Sequence, residues 1–191
     1  MLTDLLELHR TAVLDSVRTV DQVQDDDLER PTPCAGWTVA DLLAHMTAQH
    51  RGFAAAARGG GGDRTAWEAR LASPSDHAAA ARDLLAAFAD PVEEFELPEF
   101  APVTRFPAVQ AIGFHLIDYV VHGWDVARSL GLGHRLAPEL AEPALRIALA
   151  VPDGEGRLQP GAAFAPALVT RDTDPMRRVL ALLGRSPDWT P

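Results

Sequence analysis

Leu5, Leu6, Leu8, Val13, Val17 and Val20 recur at helical spacing near the start of the chain. The pattern predicts a helix over residues 3–23, capped by Thr3 or Asp4. Asp25-Asp26-Asp27 and Arg30-Pro31-Thr32-Pro33 then end the periodicity and make a loop. A second stripe, Val39, Leu42, Leu43, Met46 and Phe53, starts just after Thr38, and Thr38 with Asp41 has the spacing of a capping box. The four glycines at 59–62 lack a following Lys-Ser/Thr and a preceding strand, so they predict a flexible connector rather than a phosphate loop. A short helix is expected over 65–71. A third long one is expected over 76–90, with Leu84, Leu85 and Phe88 on one side. Residues 91–107 are punctuated by proline and predict irregular structure. A fourth helix fits 108–130, stopped by Gly131-Leu132-Gly133, and a fifth fits 138–150 with Pro138 at its first turn. Beyond it, a short extended piece over 164–169 precedes a last helix at 174–183, which ends at Gly184. Four long helices with unequal loops predict an all-α bundle over residues 1–150, with 151–191 as an extension packed on it.

The fourth helix carries the informative chemistry. Between Ala108 and Ala127 its only formal charges are Asp118 and Asp125. On a helical wheel His115, Asp118, His122 and Asp125 share a strip about 80° wide, and apolar residues cover the remainder. This inverts the usual surface helix and predicts burial on most sides. Asp118 and His122 are four apart and point the same way, so they could share an ion. Zinc-type metals take imidazole nitrogen and carboxylate oxygen, and a catalytic centre uses three protein ligands plus an open position. His45, on the second helix beside its apolar stripe, could face the pair across the bundle. The same strip also fits an ordinary solvent face.

The other histidines, His9, His50, His77 and His134, stand in charged or loop contexts and are expected in solvent. Cys34, directly after Pro33, is expected to be packed rather than reactive. Trp37, Trp124 and Trp189 are expected as anchors in the core or at loop ends.

Composition narrows the functions available. All 17 basic residues are arginine, which excludes mechanisms that need a lysine. The net charge of −10 disfavours nucleic acid as a partner. The single cysteine excludes a disulfide scaffold, and no apolar run is long enough for a membrane span. The N-terminal segment has no basic region of the secretory kind, so a cytoplasmic protein is expected. Ser-His-Asp catalysis finds no Gly-x-Ser-x-Gly motif.

Three ordered motifs carry a resemblance. Pro33-Cys34-Ala35-Gly36-Trp37-Thr38-Val39 with Asp41-Leu42-Leu43-Ala44-His45 resembles the opening of the second helix in actinobacterial relatives of mycothiol-dependent maleylpyruvate isomerase, within the DinB-like superfamily. Val121-His122-Gly123-Trp124-Asp125-Val126-Ala127-Arg128, then Gly131, resembles their second signature. The ending from Leu180 to Trp189 resembles short metal-binding members. The resemblance implies a DinB-like four-helix bundle with short extra C-terminal helices, holding a divalent metal, zinc or nickel, at one end of its core. It maps the first and last ligand histidines onto His45 and His122, and the intervening ligand onto Asp118. His115 would substitute for or supplement the aspartate. Asp125 would orient His122 or fix the helix end, and Arg128 could hold an anionic substrate or complement the helix terminus.

The implied activity is a mycothiol-dependent transferase or isomerase acting on a small electrophile, in a homodimer. The alternative is a non-catalytic metal-binding or ligand-sensing bundle. Residues 151–191 leave no room for the larger C-terminal domain of the isomerases, so maleylpyruvate isomerisation itself does not follow.

Overall fold

The computed structural model describes residues 2–159 and 162–191. Its helices are α1 (Leu2–Val20), α2 (Val39–Ala57), α3 (Pro74–Ala87), α4 (Ala108–Ser129), α5 (Pro138–Ala150) and α6 (Pro175–Leu182). α1 packs along α4, α4 on α2, α2 on α3, and α3 back on α1, which closes a four-helix ring. α5 leans on α4 and carries α6. The fold is all-α, as the periodicity implies.

Local chemistry fixes the helix starts. The Thr38 hydroxyl accepts from the Asp41 amide while the Asp41 carboxylate accepts from the Thr38 amide, a reciprocal pair worth about 1 kcal/mol. Ser73 and Asp76 do the same for α3, which therefore starts two residues earlier than the apolar stripe indicates. The stripes of α1, α2, α3 and α4 meet in a core of Val13, Val20, Leu42, Leu43, Met46, Leu84 and Ile112. Each such side chain contributes roughly 1.5–3 kcal/mol by leaving water. A second core on the other side of α4 joins Leu116, Val120 and Trp124 to Leu140 and Leu145 of α5 and to Val179, Leu180 and Leu183 near the C-terminus. α4 is thus buried on both flanks.

Three expectations change. The 91–107 stretch, expected to be irregular, contains an antiparallel pair, β1 (Glu94–Glu96) and β2 (Arg105–Pro107). The 59–62 glycines are not a flexible connector. Gly59 turns at φ +83°, and a Cβ on Gly61 would lie 2.0 Å from the Glu96 carbonyl oxygen, so the run is a tight turn packed on β1. Residues 164–169 form no strand; the Leu168 amide instead donates to the Ala181 carbonyl. No helix among the described residues is long and apolar enough to cross a membrane.

Candidate metal centre

α2 and α4 run antiparallel. His45 lies near His122, the Met46 carbonyl accepts from the Tyr119 hydroxyl, and His50 meets His115, so residue numbers rise on one helix as they fall on the other. This brings one end of the α2 stripe to the polar strip of α4. His45, Asp118 and His122 offer ligand atoms that all lie within 4.8 Å of one another. His122 Nε2 is 3.3 Å from Asp118 Oδ1. Two tetrahedral ligands of an ion with bonds of roughly 2.0–2.1 Å stand about 3.4 Å apart, so this edge is already set at coordination spacing.

The other face of the His122 ring is anchored. Its Nδ1 donates to Asp125 Oδ2 at 2.9 Å, which directs Nε2 toward Asp118 and His45. Asp125 is fully buried, and its charge is balanced by Arg185, itself 8% exposed, at 3.2 Å. Burial alone would raise the Asp125 carboxyl; Arg185 and His122 reverse that and hold it below its ordinary value. Burial likewise opposes the charged forms of Asp118 and His122, but their mutual attraction wins. It lowers the aspartate and raises the histidine well above 6.5. A divalent ion would therefore displace a proton from His122 Nε2. His45 goes the other way, down to about 4, through burial and the neighbouring His122 charge, and so presents a neutral imidazole.

A second donor set, Cys34, His122 and Asp125, has comparable spacing. Cys34 Sγ lies 3.3 Å from Asp125 Oδ2 and 3.9 Å from His122 Nδ1. Arg185 decides between the sets: its guanidinium reaches both Cys34 Sγ, at 3.5 Å, and Asp125, and it supplies the positive charge there. Among the described residues no arginine is hydrogen-bonded to His45, Asp118 or the Nε2 side of His122. A cleft of about 460 Å³ lies beside His45, bordered by Trp37, Ala40, Ala44, Arg70 and Leu71. The Trp37 ring stands 4.9 Å from that of His45.

The N-terminal domain model of mycothiol maleylpyruvate isomerase matches residues 9–127. The chain belongs to this family. Two uncharacterized Mycobacterium tuberculosis proteins, from strains CDC 1551 and H37Rv, are each 29% identical over 96% of this chain and 98% of their own length. Among solved structures, a histidine-to-alanine mutant of mycothiol-dependent maleylpyruvate isomerase superimposes with a TM-score of 0.62 at 18% identity, covering 91% of this chain and 78% of that one. A second structure of that isomerase gives 0.56 at 20% identity, covering 78% and 68%. These likenesses place the chain in the isomerase fold.

Within this family member, the sequence-derived residues fall into three places. His45, Asp118, His122 and Asp125 come together as described. His115 does not join them. It lies about 10 Å along the axis from His122, and its Nδ1 and Nε2 face His9 Nε2 at 2.8 Å and His50 Nδ1 at 3.3 Å. Arg128 points to the C-terminal tail, where Nε and Nη2 donate to the Trp189 carbonyl at 3.2 and 2.7 Å.

The expectation of solvated histidines is corrected. His9, His50 and His77 are fully buried with His115 around Tyr119, and His134 is half-buried. His9 stands four residues from both Leu5 and Val13, so the stripe of α1 already pointed it inward. Cys34 is half-buried and packs against the main core as expected, and its Sγ also meets Asp125. Arg185 carried no sequence signal for the site. It belongs to the C-terminal motif, yet only the fold brings it to Asp125.

Proposed function

We propose that this chain is a metal-dependent thiol transferase or isomerase, with mycothiol or a related low-molecular-weight thiol as co-substrate and a small electrophile as substrate. The observation that carries the reading is the His122–Asp118 edge at 3.3 Å with the far side of His122 tied to Asp125. His45, Asp118 and His122 would hold one divalent ion, zinc or nickel. That ion would favour thiolate over thiol by charge stabilisation.

The remaining work belongs to the protein's own groups. Asp125 fixes the His122 ring, and Arg185 keeps Asp125 ionised in a buried setting. His45, neutral at physiological pH, offers a nitrogen lone pair without first losing a proton. The cleft between Trp37 and Arg70 would bring a small molecule to His45, one of the three ligands. A cytoplasmic setting, where such thiols stay reduced, suits this reading. A closed, purely structural centre would need a fourth protein ligand, and His115, the residue expected to supply it, has both ring nitrogens committed to His9 and His50.

The test is thiol consumption. Zinc- or nickel-loaded protein is given mycothiol and a panel of electrophiles, maleylpyruvate included, against an EDTA-treated control. Metal-dependent turnover supports the reading; turnover no greater than the control across the panel removes it.

A further inference from the structure

Glu99 lies on the short 3₁₀ turn Pro98–Phe100, between β1 and β2, and two tethers hold that turn over the groove between α2 and α4. The first is Gln49, a buried side chain whose Nε2 donates to both Glu99 carboxylate oxygens, at 2.8 and 3.1 Å. Gln49 follows His45 by four residues, so it shares that face of α2 one turn on. The second is Phe100, whose ring stacks on Phe114 with centroids 4.9 Å apart. Phe114 precedes Asp118 by four residues on α4. Because the helices are antiparallel, a turn forward on α2 and a turn back on α4 lead to the same level. Glu99 is thus tied to α2 and α4 about one helical turn from the level of His45 and Asp118.

We infer that Glu99 is the proton-transfer group of this centre, held in place by Gln49; the inference rests on the thiol-transfer reading above. The chemistry it would serve is addition of the thiol to an activated carbon–carbon double bond. The Glu99 carboxylate takes the proton as the S–H bond breaks. The sulfur then forms a bond to carbon while the π pair moves to the adjacent position. The carboxylic acid returns its proton there, forming the C–H bond and regenerating the carboxylate. Thiol and alkene sum to the thioether, with no oxidant or reductant. A reversible addition that only allows bond rotation needs no such proton return, so Glu99 favours retained adducts over isomerised product.

The surroundings suit the role. Glu99 is exposed as a residue, but packing around its carboxyl raises that group above its ordinary value; the Gln49 bond partly opposes this and the Asp118 charge adds to the rise. Removal of the thiol proton by the carboxylate is assisted by such an increase in basicity.

Glu99→Gln, Glu99→Asp and wild type would be compared in two measurements. In the first, a carbon-labelled glutamate spectrum follows the Glu99 carboxyl titration with and without zinc, the signal being assigned by its loss in Glu99→Gln. A zinc-dependent downward shift in the Glu99 pKa is expected, and an unmoved titration in zinc-bound protein overturns the inference while leaving the metal reading intact. In the second, adduct formation with mycothiol and an activated alkene is measured across pH. Glu99→Gln should lose at least tenfold in kcat and the acidic limb of the profile, at unchanged zinc content and Tm, with partial recovery in Glu99→Asp. Equal rates and profiles in wild type and Glu99→Gln overturn the inference. Wild type that binds zinc but forms no adduct and isomerises instead also overturns it. Protein that refuses zinc removes the thiol-transfer reading and this inference with it.

Discussion

Replacing Asp125 with alanine would leave the Arg185 guanidinium buried without its carboxylate and the His122 ring without its anchor. Removing one partner of a buried ion pair costs about 3–5 kcal/mol, and loss of a carboxylate behind a ligand histidine lowers metal affinity roughly 10–100-fold. Both effects are expected in Asp125→Ala, read by urea unfolding and zinc titration. Wild-type stability and affinity would show that the Asp125 contacts are incidental. The sequence makes half of this arrangement visible. The four-residue spacing of Asp118 and His122 and the inward position of His45 bring those three forward, and the charge-free surroundings of Asp125 mark it as unusual. Arg185 stays hidden because an arginine beside Gly184 and Ser186 looks like a surface residue. Its burial becomes favourable only when folding supplies Asp125, 60 positions earlier in the chain.

At the scale of elements, helix positions are legible because stripe, cap and stop agree. α5 falls on 138–150 as its first-turn proline and apolar spacing require, and α4 differs from expectation by one residue at its end. The glycine run fails for a different reason: composition cannot distinguish a loop that is free from one that must be small. The distinction is testable. Gly61→Ala would push a Cβ to 2.0 Å from the Glu96 carbonyl and to 2.9 Å from Ala56 Cβ, so backbone must move. A loss of about 1–3 kcal/mol is expected from such overpacking. Gly60→Ala, where the nearest atom would be 3.5 Å away, should stay within about 0.5 kcal/mol of wild type. Equal thermal melting of the two variants would contradict the packed turn. The β1–β2 pair was invisible for a related reason. Its strands are three residues long, too short for alternation to register.

For the whole molecule, the four-histidine core sets a dependence on pH. His9 and His77 are pushed down by burial to about 3 and about 4. His50 and His115 are lowered well below 6.5, by burial first and then by their histidine neighbours, although the Asp118 charge works upward on His115. Thr47 beside His77 and Tyr119 against the stack are neutral partners. The unfolded chain thus binds protons that the folded chain refuses. The contribution of these four histidines is complete above about pH 6.5 and falls as pH drops toward 4, by about 1.4 kcal/mol per unit for each. His122 acts in the opposite sense in metal-free protein, since its folded value is raised. A net loss of several kcal/mol between pH 7.5 and 5 is expected in EDTA-treated protein, measured by urea midpoints at each pH. A flat profile would show that the histidine core is hydrated and titrates freely.

Metal content per chain decides whether His45, Asp118 and His122 form a metal centre. Untagged wild type, His122→Ala and Asp118→Ala would be compared by native and elemental mass spectrometry, with circular dichroism to verify the helices. About one divalent ion per chain in wild type, lost in both variants at unchanged helicity, is the predicted result. A wild-type protein that stays empty when offered zinc and nickel, or variants that keep the ion, would contradict a centre built from His45, Asp118 and His122.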